Sequence, residues 1–182
     1  MVVSKQQVIE HGLAFLQGVG TEAICKVCIP NGGSCCNSCD FLLDRVGCQL
    51  RNTSCTSWLC GFQQYVLLEM DLLDTWKSFW KQVPGQDFRQ DFTPDTVSIN
   101  EWMEIPSISE VSHAFASDLQ ELLHLKLIHI RPFNDKLFTC MEKLSQCEDK
   151  GPRRYALKRI NVHMKDFKQF KVLKDCLKPY KA

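Results

Sequence analysis

Apolar positions recur at three- and four-residue steps over most of the chain, which predicts helices and few strands. Ser4 to Gln17 reads as an amphipathic helix with Ile9, Leu13 and Leu16 on one stripe, ended by Gly18 and Gly20. Phe62 to Val83 carries the densest pattern: Phe62, Tyr65, Val66, Leu72, Leu73, Trp76, Phe79, Trp80 and Val83 repeat at helical spacing. Leu67, Leu68 and Met70 widen the stripe, so one long helix buried on most sides is expected, stopped by Pro84-Gly85. Gln86 to Ile105 is irregular, with Phe88, Phe92, Ile99, Trp102 and Met103 as scattered anchors.

Ser107 and Glu110 then form an S-x-x-E capping box. The helix it opens is expected to reach about Ile130 and to end at Pro132, with Val111, Phe115, Leu119, Leu122, Leu123, Leu127 and Ile130 inward. Asn134 is expected to cap a shorter helix to about Glu148, with Leu137, Phe138, Met141 and Leu144 inward. Gly151-Pro152 breaks the pattern, and Arg154 to Val162 reads as a short strand or an extended connection. Met164 to Leu177 is a last amphipathic helix.

One stretch lacks this periodicity. Thr21 to Gly61 is poor in spaced apolar residues, contains the tight-turn run Pro30-Asn31-Gly32-Gly33, and holds eight of the eleven cysteines. They are Cys25, Cys28, Cys35, Cys36, Cys39, Cys48, Cys55 and Cys60. The expected architecture is a single, mainly α domain over 1–182. An irregular cysteine-rich metal-binding segment (21–61) lies between its first and second helices, and a basic helical region occupies 150–182.

A C-x-x-C gap, as in Cys25/Cys28 and Cys36/Cys39, lets two thiolates reach one ion, and metal bonds can order a segment that has little core. Three other readings stand beside this one. Buried reduced thiols acting as small hydrophobes suit Cys140, Cys147 and Cys176, on helical apolar faces. A thiol–disulfide catalyst at Cys25/Cys28 would need a helix starting at its first cysteine. A disulfide framework belongs to a secreted protein, and only the Asn52-Thr53-Ser54 sequon favours that.

The stretch Gly33-Ser34-Cys35-Cys36-Asn37-Ser38-Cys39-Asp40-Phe41-Leu42, then Gly47-Cys48-Gln49-Leu50, then Cys55-Thr56-Ser57-Trp58-Leu59-Cys60, resembles the bacterial cysteine-cluster proteins described as zinc- or iron-chelating. Their signature is C-x-x-C-x-x-C-C followed by further cysteines. Here six residues separate Cys28 from Cys35 where the signature has two. The resemblance implies metal chelation. All-sulfur ligation suits zinc, the first expectation, or an iron–sulfur cluster with a redox or sensing role.

Composition is that of an ordinary globular protein, at 45% hydrophobic and 24% charged residues. No apolar run is long enough to span a bilayer, and Gln6, Gln7, Glu10 and His11 interrupt any signal-peptide pattern, so a cytoplasmic protein without membrane contact is expected. Charge is divided unevenly. Residues 150–182 carry eleven Lys or Arg against Asp166 and Asp175, while 1–149 carry eleven basic and nineteen acidic residues. Arg153, Arg154, Lys158 and Arg159 are candidates for contact with nucleic-acid phosphates or a protein partner. The competing reading is a helix that turns its lysines to water, and no aromatic residue is expected among the basic ones because Phe167 and Phe170 belong to the apolar stripe. His113 and His124 lie about 16 Å apart along one helix, too far for a shared ion. No phosphate loop, nucleophile elbow or H-E-x-x-H motif occurs, so no reaction is indicated.

Overall fold

The structure is a computed structural model that describes residues 1–33, 39–87 and 90–177. Its elements run β1 (Val2–Ser4), α1 (Lys5–Val19), α2 (Thr21–Cys28), a 3-10 turn (Ile29–Asn31), β2 (Leu42–Leu43), β3 (Gly47–Cys48), α3 (Thr53–Ser57), α4 (Gly61–Glu69) and α5 (Leu73–Trp80). They continue with β4 (Gln86–Asp87), β5 (Gln90–Asp91), β6 (Thr96–Ser98), α6 (Ser109–His124), α7 (Ile130–Ser145), α8 (Lys150–His163) and α9 (Lys168–Leu177). The mainly helical expectation holds.

α1 begins where Ser4 Oγ accepts the Gln7 amide while Gln7 Oε1 accepts the Ser4 amide, a reciprocal cap. Gly20 closes it in the left-handed region (φ 78°), with the Ser109 backbone 2.8 Å from where a Cβ would stand. Ile9 and Leu16 are buried as expected, but Leu13 faces outward.

Thr21 to Cys28 then forms a helix rather than an irregular loop. Ile24 is buried and α2 packs extensively on α6, so tertiary contact stabilises two turns that local periodicity alone does not announce.

The long helix expected over Phe62–Val83 is two helices. Asp71 takes a left-handed conformation (φ 57°) between them, and the Leu72 amide donates back to the Leu67 carbonyl at 2.8 Å. The break lets the halves face different partners. α4 turns Phe62 and Tyr65 toward Phe115, whereas α5 turns Trp76 onto Phe15 and Trp80 into the space left by Gly12.

The stretch Gln86–Ile105 contains strands the periodicity did not show. β6 pairs antiparallel with β1 in the register Val2↔Ser98 and Val3↔Val97. Phe92 is exposed, not an anchor, and Phe88 lies outside the described residues.

Three further boundaries shift. α6 starts at Ser109 with no side-chain cap, so the Ser107/Glu110 box is not used, and it ends at His124, leaving Leu127 exposed. Pro132 sits in the first turn of α7 instead of terminating α6, where a missing amide hydrogen has no helical acceptor to lose. Pro152 is placed likewise in α8, which is a helix where a strand or connection was expected. Its buried Ala156 and Ile160, four apart, are a one-stripe helical face.

The core gathers rings from α4, α6 and α9 and from Phe167 just before α9. Phe115 of α6 meets Phe167 at 4.7 Å and Phe170 edge-on at 5.3 Å, and Phe170 meets Tyr65 at 5.6 Å. Asp118 of α6, buried, accepts the Gln169 and Phe170 amides at 3.2 and 2.9 Å and so caps α9 from outside it. Among the described residues no single helix is long and apolar enough to cross a membrane.

Candidate functional site

The cysteines divide by element. Cys25 and Cys28 lie three apart in the C-terminal half of α2, so both thiols share one helix face. This is not the knuckle turn expected of a C-x-x-C metal pair. It is also not a redox-catalyst placement, because Cys25 is the fifth residue of α2 and not its first. Cys60 sits at the N-cap of α4, where the amide hydrogens of a first turn favour negative charge.

α4 and α7 pack extensively, and Asn134 Oδ1 accepts the Phe62 amide at 3.3 Å. Asn134 thus caps α4, not the start of its own helix as expected. Cys25, Cys28 and Cys60 line one cavity of about 20 Å³ together with Phe62, Asn134 and Arg131. That volume accommodates one occupant of about the size of a water molecule.

Gly33 lies so close to the Cys28 sulfur that no Cβ fits there, and its amide donates to the Cys28 carbonyl at 3.0 Å. Burial pushes the Cys25 thiol up; nearby Arg51 draws it down and Glu22 adds to the rise, the net being upward. The thiol is therefore protonated at neutral pH.

The other expected ligands are spread more widely. Cys39 precedes the β2–β3 hairpin, and Cys48 lies in β3, its Sγ donating to the Leu50 carbonyl at 2.8 Å. Gly47 sets that hairpin on Ile29, next to the end of α2. Cys55 is inside α3, and Cys35 and Cys36 lie outside the described residues. Among the described residues, no three His, Cys, Asp or Glu side chains are grouped closely enough to hold a metal ion as they stand. Cys25, Cys39, Cys48 and Cys55 carry free thiols. Of the cysteines read as small hydrophobes, Cys140 is buried, Cys147 donates to the Lys143 carbonyl, and Cys176 is exposed, against expectation.

The Asn52-Thr53-Ser54 sequon is taken up by the fold. Asn52 Oδ1 accepts the Cys55 amide and caps α3, while Thr53 is fully buried with its hydroxyl on Asp91 Oδ1 at 2.5 Å. Lys5 pairs with the same carboxylate at 2.9 Å, and Thr93 donates its amide to it.

The second candidate region is α8. Arg153, Arg154, Lys158 and Arg159 are all on this helix and all exposed, and none makes an ion pair among the described residues. Tyr155 stands exposed among them, an aromatic neighbour that sequence reasoning missed. Its position one residue after Arg154 and four before Arg159 was the available signal. His113, His124 and His129 are surface residues, whereas His11 Nε2 meets the Met103 carbonyl at 2.9 Å between Phe79 and Trp102.

No protein-family model, curated protein or solved structure matches the chain.

Proposed function

We propose that the chain binds a metal ion through cysteine thiolates, with Cys25, Cys28 and Cys60 as the inner ligands and the metal structural. The observation that carries this reading is the shared cavity, which unites side chains 32 or more residues apart in sequence. Its volume suits a single ion, and thiolate sulfur is the donor that zinc prefers. One of the other clustered cysteines fills the fourth position of a tetrahedral site.

The local charge suits the product. A divalent ion with four thiolates carries a net negative charge, and Arg51 near Cys25 and Arg131 on the cavity wall are the cations that complement it. Zinc binding here replaces thiol protons with metal bonds and draws the three sulfurs inward from their present spacing.

The test is metal analysis of protein purified without oxygen. About one zinc per chain is expected, with Cys60→Ser lowering the content and Cys140→Ser leaving it unchanged. Iron with acid-labile sulfide and visible colour would replace zinc with an iron–sulfur cluster. Metal-free protein whose thiols all titrate freely would overturn the reading.

A further inference from the structure

We propose that the solvent face of α8 is a binding surface for duplex DNA, laid into the major groove and held mainly through phosphates. This goes beyond the metal reading and rests on a different part of the molecule.

α8 follows α7 after a turn of four residues, 146–149, and packs extensively against α7. Ala156 and Ile160 take up its buried stripe. On the opposite side Arg154, Tyr155, Lys158, Arg159, Asn161 and Val162 project outward. Fourteen residues make a rod about 21 Å long. A helix exposed along one whole side fits a groove about 12 Å wide.

Charge selects the partner. From Lys150 to Lys165 there are six Lys or Arg and no Asp or Glu. Arg154 and Lys158, four apart, form one flank of the exposed face, and Arg159 forms the other. Tyr155 (65% exposed) and Val162 (59%), seven apart, lie between these flanks. Such an order places cations toward both phosphate rows, with an aromatic hydroxyl and an aliphatic side chain toward the groove floor.

The positive field extends beyond α8. His163 is held below the usual imidazole range by burial, by Arg159 and by Lys136 of α7. The acidic groups of this pair of helices lie elsewhere: Glu148 and Asp149 are at the entry to α8, and Asp135 and Glu142 are on α7. Contact therefore centres on the stretch from Arg154 to Val162.

An anionic membrane is the weaker fit. An interfacial helix needs a free apolar face, and the apolar stripe of α8 is already committed to the core, leaving only Tyr155 and Val162 outside. Asn161 is the one exposed side chain there of the type that reads adenine edges, so binding depends little on sequence.

The experiment is fluorescence anisotropy of the full chain, as purified, with a labelled duplex of about two helical turns over a salt series. Affinity should fall linearly with salt on logarithmic axes, with a slope near −0.9 for each phosphate engaged. Lys158→Ala should reduce the slope by about one, and the triple Arg154→Ala/Lys158→Ala/Arg159→Ala variant by about three. Lys26→Ala, on exposed α2 surface, should change nothing, and unchanged circular dichroism keeps the comparison one of surface charge. Absence of duplex binding at low salt would overturn the proposal. So would binding that the triple variant leaves intact, or a preference for the single strand or for vesicles rich in phosphatidylserine. Metal content and DNA affinity are read separately, so failure of one reading leaves the other standing.

Discussion

Cys25 shows how one side chain ties burial to chemistry. Its thiol is pushed above the ordinary range by burial, so the proton must leave before sulfur can ligate. A raised thiol pKa means that protons compete with metal up to a higher pH, and zinc affinity should rise as pH increases through neutrality. Proton release on zinc addition, measured in weakly buffered solution, should fall by about one per chain in Cys25→Ser and stay unchanged in Cys140→Ser. Equal release in both variants would remove Cys25 from the ligand set.

Asp91 works in the opposite direction. Burial alone would raise its carboxyl, but bonds from Lys5, Thr53 and Thr93 outweigh burial and hold it well below the usual carboxylate range. A carboxyl depressed in the folded state adds stability above its unfolded pKa of about 3.9 and loses that contribution as pH falls further. Asp91→Asn should therefore cost about 2–3 kcal/mol at neutral pH, since the amide group that replaces Oδ2 cannot accept from charged Lys5 or from the Thr53 amide. Urea midpoints should show the gap between wild type and variant closing as pH drops below about 4.

At the scale of elements, capping across the fold decides where helices begin. Asp118 accepts two first-turn amides of α9 from its place on α6, a distant version of the cap that Ser, Asp or Asn supplies next to a helix in sequence. Asp118→Ala should lower stability by about 1–2 kcal/mol and speed amide exchange at Gln169 and Phe170, while Asp118→Asn retains part of both. Exchange unchanged at those two amides would show that packing of Phe167 and Phe170, not the cap, fixes α9. This same kind of contact explains which elements were legible. α1 could be read because Ile9, Leu16 and the terminating Gly20 all lie within one segment, although Leu13 of the same stripe faces outward. Asn134 was misread because its acceptor serves Phe62, far away in the chain. α2 was missed because its helical state depends on α6, and the break at Asp71 because α4 and α5 bury against different neighbours. Of the candidate site, the cysteines were plain in the sequence. Their grouping was not, since Cys60 reaches the shared cavity from the start of α4 while Cys25 and Cys28 reach it from α2, more than thirty residues earlier.

For the molecule as a whole, the question is how much of it depends on the proposed metal. Sequence reasoning expected residues 21–61 to need metal bonds throughout, because periodic apolar residues are scarce there. The fold narrows that need. α2 is anchored by Ile24 on α6, and Thr53, Thr56 and Leu59 are buried, so both ends of the segment belong to the core. The hairpin between them does not. Phe41 (52% exposed), Leu43, Val46 (65%) and Leu50 all project from it, while Gly47 rests against Ile29. A part with few buried apolar contacts opens at low free-energy cost, whereas the helices open only with the core. Chelation should accordingly release the hairpin and leave the helices in place. Trypsin cleavage after Arg45, which is exposed in that hairpin, should accelerate on treatment with a chelator, while helical circular dichroism changes little. A cooperative loss of helicity on chelation would instead make the metal a requirement for the whole fold, and unaltered cleavage would uncouple the hairpin from the metal altogether.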